Sequence, residues 1–106
     1  MAQQVSASHI LLMYAGSARS SATRSKAEAE AKIGEIKTEL DGGADFAALA
    51  QAHSDCPSGK GGGDLGSFGP GQMVKTFEET AFGLDVGATS APIETEFGYH
   101  IIHRTG

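Results

Sequence analysis

The sequence predicts an α+β domain with a mainly antiparallel sheet, and three observations predict it. A segment rich in β-branched and large apolar residues near the start, and two more near the end, read as strands. Between them lie segments with helical spacing and capping residues. The order, a strand, two helices, a short strand, a third helix and two closing strands, places no regular βαβ repeat in the chain. At 106 residues this is one domain's worth of sequence, and residues 1–106 are expected to form a single domain with a modest core.

Val5 to Tyr14 (VSASHILLMY) reads as the first strand. Ala7, His9, Leu11 and Met13 fall on one face, and Ser8, Ile10, Leu12 and Tyr14 on the other. Both faces are largely apolar, which predicts a central strand covered on each side. Ala15 to Thr23 is a polar loop of small residues carrying Arg19. Ser25 with Glu28 three positions later forms a capping-box pattern that opens a helix. Ala29, Ile33, Ile36 and Leu40 give that helix its apolar stripe, and Asp41-Gly42-Gly43 ends it through a glycine in the left-handed conformation.

Asp45 caps a second, short helix with Phe46, Leu49 and Ala50 as its stripe and His53 one turn on. From Ser54 to Gly71 the glycine-rich sequence permits only a short turn after Cys56 and a short strand from Asp64 to Phe68. Phe77, Ala81 and Leu84 indicate a third helix, weakened by Gly83. Thr89 to Thr95 and Tyr99 to Arg104 read as paired strands joined by Glu96-Phe97-Gly98.

Composition excludes several function classes. A formal net charge of −5 runs against general nucleic-acid binding, which needs excess cation to displace counterions. No apolar run approaches the roughly 18 residues of a membrane span. Met1 to Ser8 has neither the basic nor the apolar region of a secretory signal. One cysteine, Cys56, cannot make an internal disulfide, so a reducing compartment and cytoplasmic localisation are expected. No metal site is expected. The one pair with ligand-like spacing, His100 and His103, points to opposite faces of a strand. Gly61-Gly62-Gly63 lacks the following Lys-Ser/Thr of a phosphate loop.

Six blocks carry a family resemblance, in order and over essentially the whole chain: Ser8-His9-Ile10-Leu11; Phe46 to Ser54 with Asp55-Cys56; Gly63 to Phe68; Gly71-Gln72-Met73 with Phe77-Glu78; Pro92-Ile93; and Phe97 to Ile102. Together they resemble the parvulin-type peptidyl-prolyl cis–trans isomerases. The resemblance implies the fold shared with FKBP-like proteins, a four-stranded antiparallel sheet surrounded by four helices. It implies isomerisation of X–Pro bonds in flexible or unfolded protein segments; no bond is made or broken in that rotation, so no cofactor is expected, and nothing in the sequence demands more than a monomer.

It also implies roles for residues. His9 and His100 match two histidines that lie side by side beneath the bound peptide, and Thr95 matches their hydrogen-bond companion. Cys56 matches a cysteine expected here to supply a polar, partly negative edge rather than a covalent nucleophile. Leu65, Met73 and Phe77 match the proline pocket, and Phe97 is expected to extend its apolar wall. In isolation each has a plainer reading: strand histidines are usually satisfied core residues, a lone cysteine is usually packing, and Met and Phe at such spacing usually mean core.

Phosphate-directed parvulins of the Pin type resemble this chain less closely after the first strand. They carry a lysine where Met13 stands and paired arginines where Ala18 and Arg19 stand. A phosphate dianion calls for several convergent cations, so a preference for apolar X–Pro is expected. Arg19 stays the candidate contact for a phosphate or acidic substrate, against a plain reading of Arg19, Arg24 and Lys26 as surface charges. A non-catalytic peptide-binding chaperone module is the second alternative. A Cys–His hydrolase using Cys56 is a third, disfavoured by the lack of an oxyanion-hole motif.

Overall fold

The computed structural model describes residues 4–17, 24–55 and 61–106. Cys56, the turn expected after it and Arg19 lie outside the described residues.

Among the described residues seven elements form in the expected order: β1 (Val5–Leu12), α1 (Lys26–Asp41), α2 (Phe46–His53), β2 (Asp64–Phe68), α3 (Lys75–Gly83), β3 (Ile93–Thr95) and β4 (Gly98–Arg104). The strands make one four-stranded sheet in the order β2-β1-β4-β3, antiparallel throughout. The fold class is the expected one, with three helices among the described residues where the resemblance implied four.

β1 is central, and all of it but Ser6 is buried. Its period of two sorts the core into two layers. Ile10 and Leu12 turn to one face, where Ala29, Ile33 and Ile36 of α1, Ala50 of α2 and Tyr99 and Ile101 of β4 close around them. Val5 and Ala7 turn to the other, against Phe68, Phe77 and Ala81 of β2 and α3 and Ile102 of β4. Each fully buried Ile or Leu contributes about 1.5–3 kcal/mol, so a one-residue slip of β1 would exchange the two layers and forfeit both.

The helix starts follow from their caps. Ser25 Oγ accepts from the Glu28 N–H (3.1 Å), and Glu28 Oε1 accepts from the Ser25 N–H (2.8 Å), completing the capping box. Asp45 Oδ2 accepts from the Ala48 N–H (3.0 Å) at α2. At the end of α1 it is Gly43 that takes the left-handed conformation (φ 101°), while Gly42 stays at φ −82°.

Besides β4, which starts at Gly98 rather than Tyr99, three boundaries differ from expectation. β1 ends at Leu12 because Tyr14 enters a tight turn in which Ser17 Oγ donates to the Tyr14 carbonyl (2.8 Å). α3 ends at Gly83, and Leu84 caps it while still packing on the apolar layer. β3 is only Ile93–Thr95, because Thr89 touches β4 through a single bridge to His103 and Ser90 spends its side chain on the Ile102 N–H (2.9 Å).

Candidate active site

The site lies on the α3 side of the sheet, where β1 and β4 each contribute a histidine. In the β1–β4 register His9 is opposite Ile102 and Leu11 is opposite His100. The two histidines are therefore diagonal neighbours on one face, close enough for long side chains to meet. Their rings stack with centroids 5.3 Å apart and planes 23° from parallel. Nδ1 of His9 lies 3.2 Å from Nδ1 of His100. On the far side of His100, Nε2 is 2.7 Å from Thr95 Oγ1, and that oxygen also accepts the Phe97 N–H (3.2 Å).

Both rings are buried, His9 at 5% and His100 at 4% exposure. Burial lowers the His9 pKa to about 4. Burial, then repulsion from His9, lowers that of His100 to about 3. At neutral pH both imidazoles are uncharged, so across the Nδ1–Nδ1 contact one ring donates and the other accepts. The chain from Phe97 N–H through Thr95 to His100 and His9 thus fixes two neutral rings in position. His9 Nε2 has no hydrogen-bond partner among the described residues.

Phe77 of α3 meets both imidazoles edge-on, at 5.5 Å and 78° to His9 and 5.5 Å and 81° to His100. Above the rings opens a cavity of about 510 Å³ lined by His9, Leu11, Met13, Leu65, Gln72, Met73, Val74, Phe77, Phe97 and His100. That volume is in the range of small-ligand pockets. Among the described residues its lining holds no carboxylate, ammonium or guanidinium group, and its two titratable rings are neutral.

Two glycines let the backbone close behind this site. Gly63 (φ +83°) presses on β1, where its carbonyl accepts the His9 N–H (2.9 Å), and a Cβ there would strike the His9 carbonyl oxygen. Gly98 (φ +140°) opens β4 against Leu12, and a Cβ there would strike the Leu12 carbonyl oxygen.

The structure thus gathers His9, Thr95, His100, Leu65, Met73, Phe77 and Phe97 around one cavity. Phe77 is core and pocket wall together, at 3% exposure. Leu11, Met13, Gln72 and Val74 complete the lining without having been singled out. For Leu11 and Met13 the signal was present, since strand alternation puts them on the face of His9. Gln72 and Val74 lie in a segment without periodicity, and nothing local marks them. His103 turns away to the opposite face, where its ring meets Phe46 at 5.4 Å and its Nδ1 meets Thr89 Oγ1 at 2.9 Å.

A small antiparallel sheet whose first and last strands place neutral histidines under an apolar cavity defines the parvulin class of domain. The sequence profile of the PPIC-type PPIase domain matches residues 1–106. This chain belongs to that family. It is 43% identical over 115 residues to the peptidyl-prolyl cis-trans isomerase Pin1 of Digitalis lanata, covering 98% of each chain. It is 58% identical over 72 residues to the foldase protein PrsA of Geobacillus sp. (strain WCH70), covering 67% of this chain and 26% of that protein. The chain thus spans about a quarter of the foldase and nearly all of the plant isomerase. Among solved structures, the peptidyl-prolyl isomerase ESS1 from Candida albicans superposes with a TM-score of 0.92 at 38% identity, over 98% of this chain and 63% of that one.

Proposed function

We propose that this domain is a peptidyl-prolyl cis–trans isomerase acting on X–Pro bonds of flexible protein segments, with a preference for an uncharged residue before proline. The observation that carries the reading is the uncharged apolar cavity floored by His9 and His100 and walled by Phe77.

Rotation about an X–Pro bond crosses a barrier of about 18–20 kcal/mol because the twisted amide loses conjugation. The planar amide carries the larger dipole, and water stabilises it accordingly. An apolar cavity that holds the proline ring and excludes water removes that stabilisation and favours the twisted, less polar form. Lowering the barrier by about 5–6 kcal/mol gives roughly a ten-thousandfold acceleration. No covalent step is needed. Leu65, Met73 and Phe77 hold the ring, Phe97 extends the wall, and the neutral histidines with Thr95 fix the floor. Cys56 is assigned a polar role beside the carbonyl by family resemblance.

Dependence on phosphate finds no support in the described residues. Met13, where Pin-type relatives carry lysine, lines the cavity as an apolar side chain. Arg24 and Lys26 are held in ion pairs with Asp55 and Glu94. Cytoplasmic localisation and a monomeric state belong to the same reading, the first supported by the single cysteine; cell fractionation and size-exclusion chromatography test them.

The direct test is exchange NMR on three peptides, Leu–Pro, Glu–Pro and phosphoserine–Pro, with wild type, His9→Ala and Met73→Ala. Fastest exchange on Leu–Pro, reduced in both variants, is expected. Fastest exchange on phosphoserine–Pro overturns the specificity, and no acceleration on any peptide leaves a binding module.

A further inference from the structure

The end of β1 is tied down by a cluster that the isomerase reading does not use. β1 pairs with β2 as far as Ser8, and the Gly63 carbonyl just before β2 takes the His9 N–H. Beyond that its outer edge is completed by the segment before Cys56. The Leu11 N–H donates to Ser54 Oγ (3.1 Å), and the Asp55 N–H donates to the Leu11 carbonyl (2.7 Å). The Met13 N–H donates to Asp55 Oδ2 (2.8 Å). Arg24 then closes the cluster from the other side of the loop. Its Nη1 donates to the Met13 carbonyl (2.9 Å) and forms an ion pair with the same Asp55 oxygen, while the Arg24 carbonyl accepts the Ala15 N–H (2.8 Å).

Arg24 is thus a cation placed directly behind a residue that lines the cavity. Asp55 is its ion-pair partner, and the Glu28 carboxylate also feels its charge from the start of α1. The Arg24 and Asp55 side chains are 33% and 28% exposed, partly shielded from salt yet still open to solvent. Among the described residues the cavity's lining contributes no charge, and this pair is the charged cluster bonded to the backbone at its β1 end.

We propose that Asp55 is a specificity-determining residue: by holding Arg24 in an ion pair behind Met13, it withholds a positive charge from the cavity and so disfavours substrates with an acidic residue before proline. Without the Asp55 carboxylate, the guanidinium keeps the Met13 carbonyl as one anchor and has N–H groups free for an anionic side chain beside Met13. Charge of this kind changes partner selection more than overall affinity. The inference rests on the reading of the cavity as the substrate site.

The test compares wild type, Asp55→Asn, Arg24→Gln and the double variant on Leu–Pro and Glu–Pro peptides. Exchange rates are read by NMR and binding by amide-shift titration, with thermal melts to verify folding. Asn keeps an acceptor for the Met13 N–H but loses the charge. The expected result is a Glu–Pro to Leu–Pro ratio raised about fivefold in Asp55→Asn, an effect that shrinks as salt rises from about 50 to about 500 mM. The double variant returns the ratio to the wild-type value. Arg24→Gln alone lowers the ratio by a comparable factor, because the Asp55 carboxylate is then left uncompensated behind Met13.

An unchanged ratio in folded Asp55→Asn, or a gain that survives in the double variant, overturns the proposal. If Asp55→Asn does not fold, Arg24→Gln decides: a ratio unchanged in the folded variant shows that the charges of this pair do not reach the substrate and overturns the proposal. The titrations need no turnover, so selectivity that shifts as expected in a wild type without isomerase activity sinks the enzyme reading alone.

Discussion

His9 and His100 meet across a diagonal of the β1–β4 ladder, with Nδ1 atoms 3.2 Å apart although neither residue is the other's register partner. Directly opposed positions would pair each ring with the other strand's facing side chain. The diagonal instead leaves room for Phe77 to set its ring edge-on against both. Burial keeps the pair neutral, and neutrality lets the two nitrogens approach without repulsion. Geometry and protonation state therefore stand or fall together.

Acid should dismantle this arrangement first. Unfolded, both histidines titrate near 6.5; folded, near 4 for His9 and 3 for His100. Between these values the unfolded chain binds protons that the folded chain refuses. The stability they contribute is complete above about pH 6.5 and is lost as pH falls through their folded values. Each histidine adds a slope of about 1.4 kcal/mol per pH unit within that window. Urea titrations between about pH 6.5 and 4.5 are expected to show the slope, and His9→Asn is expected to remove about one histidine's share of it.

Thr95 holds His100 through one hydrogen bond and receives Phe97 through another. Thr95→Val preserves shape and removes both, leaving the buried His100 Nε2 unpaired. The expected loss is about 1–3 kcal/mol in stability, with reduced isomerase turnover. Thr95→Ser is expected to recover most of both. Urea midpoints and exchange rates on the Leu–Pro peptide check the pair.

Phe77 is shared between core and cavity. Phe77→Ala is expected to cost about 3–5 kcal/mol, whereas Phe77→Leu retains most of the buried volume and loses the edge contacts to both imidazoles. The leucine variant should therefore melt near the wild type while its turnover falls severalfold. Equal turnover in a folded leucine variant would remove Phe77 from the catalytic argument.

Gly63 supports His9 from behind. An alanine there combines a positive φ of 83° with a clash against the His9 carbonyl oxygen. The cost should exceed the roughly 1 kcal/mol of an ordinary Gly→Ala change made at an unsuitable φ, and the His9 ring signals in an NMR spectrum should move. The same substitution at Gly16, where a Cβ meets nothing within 4 Å, should cost less despite its own positive φ.

Much of this was legible in the residues alone. Period-two alternation in Val5 to Tyr14 announced a strand covered on both faces, because each face carries its own apolar set. The Ser25–Glu28 box and Asp45 marked helix starts, since cap chemistry is local. The histidine pairing came from resemblance, as no local signal couples His9 to a residue 91 positions away. Register does that, and register is set by the whole sheet. The short β3 was hidden for the same reason: Thr89 to Thr95 has strand composition, but β4 gives Ser90 a side-chain bond in place of continuous pairing. Arg24 looked like a surface charge because its partner, Asp55, lies 31 residues on.

The pairing of β1 with β4 also has a consequence for biosynthesis. Loop-closure entropy must be met before such distant contacts reward it, so the central ladder forms late relative to the local helices. A nascent chain that has emerged only through α3 holds His9 but no His100, and the middle of its sheet has no second strand. Synthesis must deliver Gly98 to Arg104 before this protein can protect its own first strand. Until then β1, apolar on both faces, is itself a segment in need of a chaperone.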